Sequence, residues 1–342
     1  MDMMAGSDRL TAVVAGGAGF VGSHLCDHLI AEGYRVVCVD SLLTSTLANL
    51  AGVLREPRFS FIEHDVINPL PRGMTADLVF NLACAASPPL YQLDPVHTMM
   101  TNVVGTNNLL SFAAEQGARF LQASTSEIYG NPAVHPQPES YAGNVNPTGP
   151  RACYDEGKRA AETLCFDYLR LGVADVRVAR IFNTYGPRLR ASDGRVVSNM
   201  ISQALAGEPV TIYGDGSQTR SFCYVTDLID GFLRLMQHEP APQHPVNLGN
   251  PDEITIADVA GIIRLMTGSS SEIVFCPLPV DDPGRRRPDI RLAREILGWQ
   301  PRIALQAGLR RTIDWFEVSA RPGLREEGAF HDIPGRVGAQ QP

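Results

Sequence analysis

Lysine is almost missing from this 342-residue chain: Lys158 is the only one among 29 Lys and Arg residues. Codon bias toward arginine is the plain cause. A sole lysine is still a place to look for chemistry that needs a compact ammonium rather than a planar guanidinium fork. An excess of positive charge is missing too. The net charge of −8 gives no global footprint for nucleic acid or an anionic membrane, and leaves room only for a local basic pocket around a phosphorylated ligand. No run of about 18 apolar residues occurs, so no transmembrane helix is expected. Met1–Leu10 carries two acids and no apolar core, unlike a secretory signal. The seven cysteines (Cys26, Cys38, Cys84, Cys153, Cys165, Cys223 and Cys276) form no CxxC pair and are odd in number. They predict reduced thiols in a cytoplasmic protein, with neither a disulfide framework nor a metal site. Internal repeats are absent as well.

What is present alternates. Leu10–Ala15, Arg35–Asp40, Ser60–Glu63, Leu78–Leu82, Phe120–Ala123 and Asp175–Ile181 read as short strands. Gly22–Glu32, Thr98–Gln116 and Asp155–Leu171 lie between them with helical spacing. This order predicts an α/β fold, a doubly wound parallel sheet covered by helices on both faces. The second half is punctuated by Pro, Gly and Asp, with helical stretches at Val196–Ala206, Val225–Gln237, Ile256–Met266 and Gln306–Phe316. It predicts a smaller C-terminal lobe whose loops carry binding groups. The expected division is 8–185 for a dinucleotide-binding domain and 186–318 for the second lobe, with allowance for the chain crossing back. The stretch 319–342, rich in Gly, Pro and charge, is expected to be a disordered tail.

Glycines at 16, 19 and 22 follow the first strand and open the first helix. Without side chains they permit a tight turn and let backbone N–H groups approach a pyrophosphate. Alone this is a weak signal, since most glycine-rich turns are only turns. The next strand ends at Asp40, 24 residues after Gly16. A carboxylate there accepts hydrogen bonds from ribose hydroxyls and repels a 2′-phosphate. Ser41–Leu54 holds no basic residue, so NAD is favoured over NADP.

Tyr154 and Lys158 form a YxxxK pair, four residues apart on one helical face. A phenol is a poor base at neutral pH. The neighbouring ammonium, with a positive nicotinamide ring, is expected to lower its pKa and let it take a proton from a sugar hydroxyl. With nine tyrosines in 342 positions, the chance that one precedes the single lysine by four is about 3%, which argues against accident. Ser124-Thr125-Ser126-Glu127 follows a strand end, where a doubly wound sheet presents groups to its ligand. The alternative for this run is an ordinary loop cap.

Together these features resemble the extended short-chain dehydrogenase/reductase family. Longer runs narrow the resemblance to UDP-glucuronic acid decarboxylases: SPPLYQLDP (Ser87–Pro95), TNVVGTNNLL (Thr101–Leu110), STSEIYG (Ser124–Gly130), Gly143–Leu164, ARIFNTYGPR (Ala179–Arg188) and DDPGRRRPDI (Asp281–Ile290). The resemblance covers roughly residues 10 to 316. It implies conversion of UDP-glucuronic acid to UDP-xylose and CO2 by C4 oxidation, decarboxylation of the β-keto acid and re-reduction. The catalytic set it implies is Thr125, Ser126, Glu127, Tyr154, Lys158 and Arg286. For the cofactor, Phe20, Val21, Asp65, Val66, Leu82 and Ala83 join the glycines, Asp40, Tyr154 and Lys158. Asn183, Val197, Tyr213, Gln218, Arg220 and Arg286 are implied for the substrate, Arg220 on the diphosphate. The long helices imply a homodimer. Ala15, Ser41, Asn81 and Cys84 depart from the usual family residues beside the cofactor.

Two other nucleotide-sugar reactions compete. A 4,6-dehydratase ordinarily carries Asp where this chain has Ser126, and the acidic Glu127 argues against the simplest C4-epimerase loop. A non-catalytic NAD-sensing module has no need of Tyr154 and Lys158 together.

Overall fold

The computed structural model describes residues 9–279 and 284–319. The N-terminal octapeptide and the tail from residue 320, expected to be disordered, lie outside the described residues.

Seven parallel strands form the central sheet. They are β1 (Thr11–Ala15), β2 (Arg35–Asp40), β3 (Phe59–Glu63), β4 (Leu78–Asn81), β5 (Arg119–Thr125), β6 (Asp175–Ile181) and a late arrival, Val246–Leu248. The spatial order is 3-2-1-4-5-6, with Val246–Leu248 at the far edge beside β6. This is the doubly wound Rossmann arrangement, and the strand order reverses between β1 and β4. The apolar runs TAVVA and LVFN lie in the middle and are almost wholly buried, as strands covered on both faces must be.

Helices cover both faces. On one side lie α1 (Phe20–Ala31) and a later helix, Val225–Gln237, packed with Leu25, Leu29, Phe80, Leu228 and Phe232 into one core. On the other lie α2 (Pro88–Tyr91), α3 (Pro95–Met100), α4 (Thr106–Gln116) and α5 (Ala152–Arg170). Their core includes Val13, Val79, Leu109, Phe120 and Val178. The stretch read as one helix from Thr98 starts earlier, where the Asp94 carboxylate caps it by accepting from the His97 N–H at 3.1 Å. It also carries a π turn at Thr101–Gly105. It stops at Gly117, whose φ of 64° gives the left-handed C-terminal cap.

The second lobe holds β7 (Thr184–Tyr185), α6 (Val196–Ala206), β8 (Val210–Tyr213), β9 (Thr219–Ser221) and β10 (Cys223–Tyr224). Next come α7 (Val225–Gln237), β11 (Val246–Leu248), β12 (Glu253–Thr255), α8 (Ile256–Met266) and β13 (Ile273–Cys276). β14 (Arg285–Arg286), α9 (Arg291–Leu297) and α10 (Leu305–Ser319) complete the order. Its own core is built from Met200, Ile201, Ile212, Val259, Ile263, Leu309 and Ile313. The chain crosses back between the lobes: α7 packs on the main sheet and β11 joins it, although both follow residue 186. The small strands β7 to β14 and α9 have no counterpart in the periodicity. With two to four residues each, such strands are set by their partners rather than by local pattern.

Among the described residues, no helix is long and apolar enough to cross a membrane, and no cluster of His, Cys, Asp and Glu could hold a metal. All seven cysteines are free thiols.

Candidate active site

A groove opens at the C-terminal ends of β1 to β4, where the strand order reverses. Gly16 and Gly19 form its floor, Asp40 and Asp65 stand on one wall, and Leu82, Ala83 and Cys84 on the other. The glycines are required by contact. Gly16 has φ +78°, and a Cβ on it would meet the Leu82 carbonyl carbon at 2.6 Å. A Cβ on Gly22 would stand 2.1 Å from the Gly16 carbonyl oxygen. The turn therefore folds tightly on itself and leaves the start of α1 bare toward the groove. Phe20 and Val21 begin that helix with side chains turned away: Phe20 packs against the second lobe's core and Val21 against the sheet's.

Asp40 is 8% exposed. One oxygen accepts from the Ala18 N–H at 2.9 Å, the other from the Leu42 N–H at 2.9 Å and the Ser45 hydroxyl at 2.6 Å. Burial pushes its pKa up, and these donors oppose the shift. The Gly19 N–H acts on the carboxylate as well, so the glycine turn itself fixes its orientation at the mouth of the groove. Asp65 pairs with His97 Nε2 at 2.7 Å, and Val66 packs beside them. A glycine cradle closed to a Cβ at Gly16 and Gly22, a helix start and a carboxylate held at the strand end fit the pyrophosphate and ribose of a dinucleotide.

β5 ends at Thr125, and a 3-10 turn carries Ser126 and Glu127 past the groove. α5 runs alongside. Its buried residues are Tyr154, Asp155, Gly157, Lys158, Ala161, Glu162 and Cys165, one helical face turned to β5 and β6. Tyr154 stacks on Tyr91, centroids 4.9 Å apart and rings 2° from parallel, and Thr125 stands by its phenol. Lys158 Nζ lies 5.8 Å from the Tyr154 ring centroid and donates to the Ala123 carbonyl at 2.9 Å. The expected lowering of the phenol pKa is not found in the protein alone. Burial pushes Tyr154 well above the ordinary phenol range, and the Glu127 carboxylate adds to the rise. Burial also lowers Lys158. The desolvation of a side chain 5% exposed outweighs an ammonium whose nearest bond is to a carbonyl.

Behind this face sits a buried ion pair. Glu162 accepts from Arg180 Nη2 at 2.8 Å, Arg180 Nε at 3.0 Å and the Ser124 hydroxyl at 2.5 Å. Arg180 also donates to the Tyr129 hydroxyl at 3.0 Å. The network locks α5 to β5 and β6 one residue before Thr125.

Glu127 meets Arg286 from β14, Nη1 to Oε1 at 3.7 Å. Burial would raise Glu127, but the guanidinium groups of Arg286 and Arg151 hold it below the usual carboxylate range. Asp155 has its pKa pushed up to about 8, chiefly by burial and by the nearby Glu127 charge. Glu127 Oε2, Asp155 Oδ1 and Arg286 Nε are buried without a hydrogen-bond partner among the described residues. Ser126, 2% exposed, lies at the start of the same turn.

Of the residues implied for the substrate, Arg220 stands beside Arg286 in the β9–β14 pairing and donates to the Thr219 and Gly284 carbonyls. Gln218 donates to the Tyr213 carbonyl, and Tyr213 is 45% exposed. Gln218 lines a second hollow with His135, Gly214 and Leu278. Asn183 leads into β7 and binds the Cys223 N–H through its carbonyl at 2.8 Å. Val197 is 2% exposed and packs in the second lobe's core. Sequence reasoning passed over Asp155, Tyr91 and His97. Asp155 directly follows Tyr154, and adjacent helical positions ordinarily face different ways, so spacing gave no signal for it.

The chain is similar to known proteins. Residues 12–249 match the model of the NAD dependent epimerase/dehydratase family. The chain is 52% identical to UDP-glucuronic acid decarboxylase 1 of Danio rerio over 309 residues, 90% of this chain and 73% of the relative. It is 51% identical to UDP-glucuronic acid decarboxylase 1 of Arabidopsis thaliana over 311 residues, 91% of this chain and 71% of the relative. Among solved structures, UDP-glucose 4-epimerase with UDP-glucose from Thermotoga maritima superposes with a TM-score of 0.82 at 29% identity, covering 91% of this chain and 100% of that one. A dTDP-glucose 4,6-dehydratase from Streptomyces venezuelae with NAD and TYD bound gives 0.81 at 27%, covering 90% and 97%.

Proposed function

Because the chain belongs to the NAD dependent epimerase/dehydratase family, and within it to the UDP-glucuronic acid decarboxylases, we propose how its site converts UDP-glucuronic acid to UDP-xylose and CO2. The reading rests on one juxtaposition: the buried Tyr154 phenol lies by Thr125 and Lys158, with Glu127 and the groove-wall residue Cys84 near enough for their charges to act on it. Bound NAD supplies the hydride acceptor and donor at sugar C4. It would be held by Gly16, Gly19 and Gly22 at the pyrophosphate, Asp40 at the ribose, and Asp65, Val66, Leu82 and Ala83 along the groove. Phe20 and Val21 contribute backbone at the start of α1.

Tyr154 takes the C4 hydroxyl proton and returns it to the same oxygen at the end of the cycle. Thr125 orients the phenol, and Lys158, fixed on the Ala123 carbonyl, adds positive charge behind it. Ser126 sits where a dehydratase would need an acid, and its hydroxyl cannot serve as one at neutral pH. The C4 ketone makes the sugar a β-keto acid, so the C5–C6 bond breaks with its electron pair delocalised onto the C4 oxygen. Arg286 faces the sugar carboxylate, and Glu127 assists beside it. Arg220 binds the diphosphate, Asn183 contacts the nucleotide sugar, and Val197, Tyr213 and Gln218 belong to the uridine end, with Val197 acting from the packing beneath. The two-lobed division follows this split, cofactor on 8–185 and nucleotide sugar on 186–318, with α7 and β11 crossing back. A homodimer through the α4 and α5 faces and a cytoplasmic location complete the reading.

The 4,6-dehydratase and C4-epimerase alternatives rest only on structures at 29% identity or less, against about 50% for the decarboxylases. Incubation of the purified protein with NAD and UDP-glucuronate, read by product mass, separates them. CO2 with UDP-xylose is expected; a six-carbon product would overturn the reading. Tyr154→Phe should still fold and bind NAD while losing C4 oxidation, by roughly 10²-fold or more.

A further inference from the structure

Gln137, in the loop between the Glu127 turn and α5, is wholly buried, and an amide is costly to bury unless its groups are bonded. Every polar atom of this residue is used. Its backbone N–H donates to the Arg287 carbonyl at 2.9 Å, and its Oε1 accepts from the Arg287 N–H at 2.8 Å. Its own carbonyl accepts from the Asp289 N–H at 3.0 Å and from Asn247 Nδ2 at 3.0 Å. Nε2 donates to the Val134 carbonyl at 2.8 Å, which anchors the amide on its own loop. Pro288 has no N–H, so Gln137 takes both backbone donors of residues 287–289, the segment directly after β14.

That segment matters because β14 is two residues long and ends at Arg286. A strand so short is held by its partners rather than by its own pattern. On one side β9 pairs with it, Arg286 opposite Arg220; just beyond its end, Gln137 holds the chain. The Arg286 guanidinium has weak holds of its own. Nη1 approaches Glu127 at 3.7 Å, longer than a hydrogen bond, and Nε is buried without a partner among the described residues. Its direction therefore comes from its backbone. The clamp also reaches the Glu127 turn. Asn247 of β11 donates to the carbonyls of Gln137 and Asp289, the latter at 3.1 Å, and accepts at 2.8 Å from the hydroxyl of Tyr129, the last residue of that turn.

We propose that Gln137 is a positioning residue for Arg286: it fixes the direction of the guanidinium toward the sugar carboxylate, and its separation from Glu127, without touching the substrate. A guanidinium meets a carboxylate with two parallel bonds only in a narrow geometry. The clamp therefore serves recognition of the acid sugar rather than of the nucleotide. The proposal rests on the decarboxylase reading, in which Arg286 faces that carboxylate.

The test compares two ligands that differ by the carboxylate, UDP-glucuronate, which carries it, and UDP-xylose, which does not. KM for the first, Ki for the second as a product inhibitor and Kd for NAD are measured for the wild-type holoenzyme, Gln137→Met, Gln137→Asn and Arg286→Ala. Met keeps the length and removes the amide. Its KM for UDP-glucuronate should rise about tenfold, while Ki for UDP-xylose and Kd for NAD move by less than about twofold. A general loosening of the second lobe would weaken both sugar nucleotides alike. An unchanged KM in Gln137→Met, or KM and Ki rising together, overturns the proposal. Should that variant not fold, Gln137→Asn, one methylene too short to reach the Arg287 N–H and the Val134 carbonyl together, is read by the same criteria. Arg286→Ala with KM and Ki rising together would instead sink the placement of Arg286 at the carboxylate, and this proposal with it.

Discussion

Glu162→Gln removes one charge from beneath the active site while keeping the volume of the side chain. Glu162 accepts three bonds from Arg180 and Ser124 of 2.5 to 3.0 Å, and both partners of the ion pair have side chains 10% exposed. The amide keeps one acceptor oxygen, but Arg180 stays charged because burial beside Tyr129 cannot deprotonate a guanidinium. An uncompensated buried charge of this kind costs about 3–5 kcal/mol. At about 2–4 °C per kcal/mol in domains somewhat smaller than this chain, the denaturation midpoint should fall toward the lower end of roughly 6–20 °C. Thermal unfolding followed by circular dichroism reads it directly. The double variant Glu162→Leu, Arg180→Met removes both charges and should recover part of the loss, since apolar replacement of a whole buried pair is often neutral. A single variant that melts like the wild type would refute the reasoning, as would a double variant no better than the single one. Ser124 loses its partner too, so Thr125, the next residue on β5, should be held less firmly and turnover should drop even well below the midpoint.

Other outcomes follow from the same geometry. Gly22→Ala places a Cβ against the Gly16 carbonyl oxygen; NAD affinity should fall at least about tenfold in calorimetric titration, alongside a stability loss of about 1–3 kcal/mol. Arg286→Ala should raise KM for UDP-glucuronate and lower turnover while leaving the Kd for NAD nearly unchanged, so equal losses in both would count against its role at the sugar. Asp155 has its folded pKa raised from 3.8 to about 8. Its contribution to stability is therefore full below the unfolded value and disappears as pH rises through about 8. Glu127 is shifted the other way, and its contribution disappears as pH falls through its lowered value. The Asp155 share of the melting temperature should decline as pH rises from about 4 to about 8 and level off above that, and Asp155→Asn should flatten the decline.

Much of the site could be read from residues in order. The glycine turn and Asp40 belong to one strand–helix–strand unit, where backbone sterics and hydrogen-bond register act over short distances. Tyr154 and Lys158 share a face because helical geometry repeats every three to four residues. The first six strands were legible to within two residues at each end, since buried parallel strands are unbroken apolar runs. The long helix from Pro95 was legible as a whole, but its π turn was not. The return of α7 and β11 to the main sheet was allowed for without being located.

The amino-acid order by itself determined the parallel sheet, the dinucleotide turn and the phenol–ammonium pair, because each arises from neighbours within a few turns of chain. Only the tertiary structure decided what surrounds them. It set the buried phenol pKa, which depends on exclusion of water from every side. It set the Glu162–Arg180 lock, whose partners are 18 residues apart, and the seat of Arg286 on Glu127, 159 residues away. It also brought Asp155 against Glu127 across a helix and a turn. Burial and long-range charge are properties of the packed molecule, and no local repeat in a sequence encodes them.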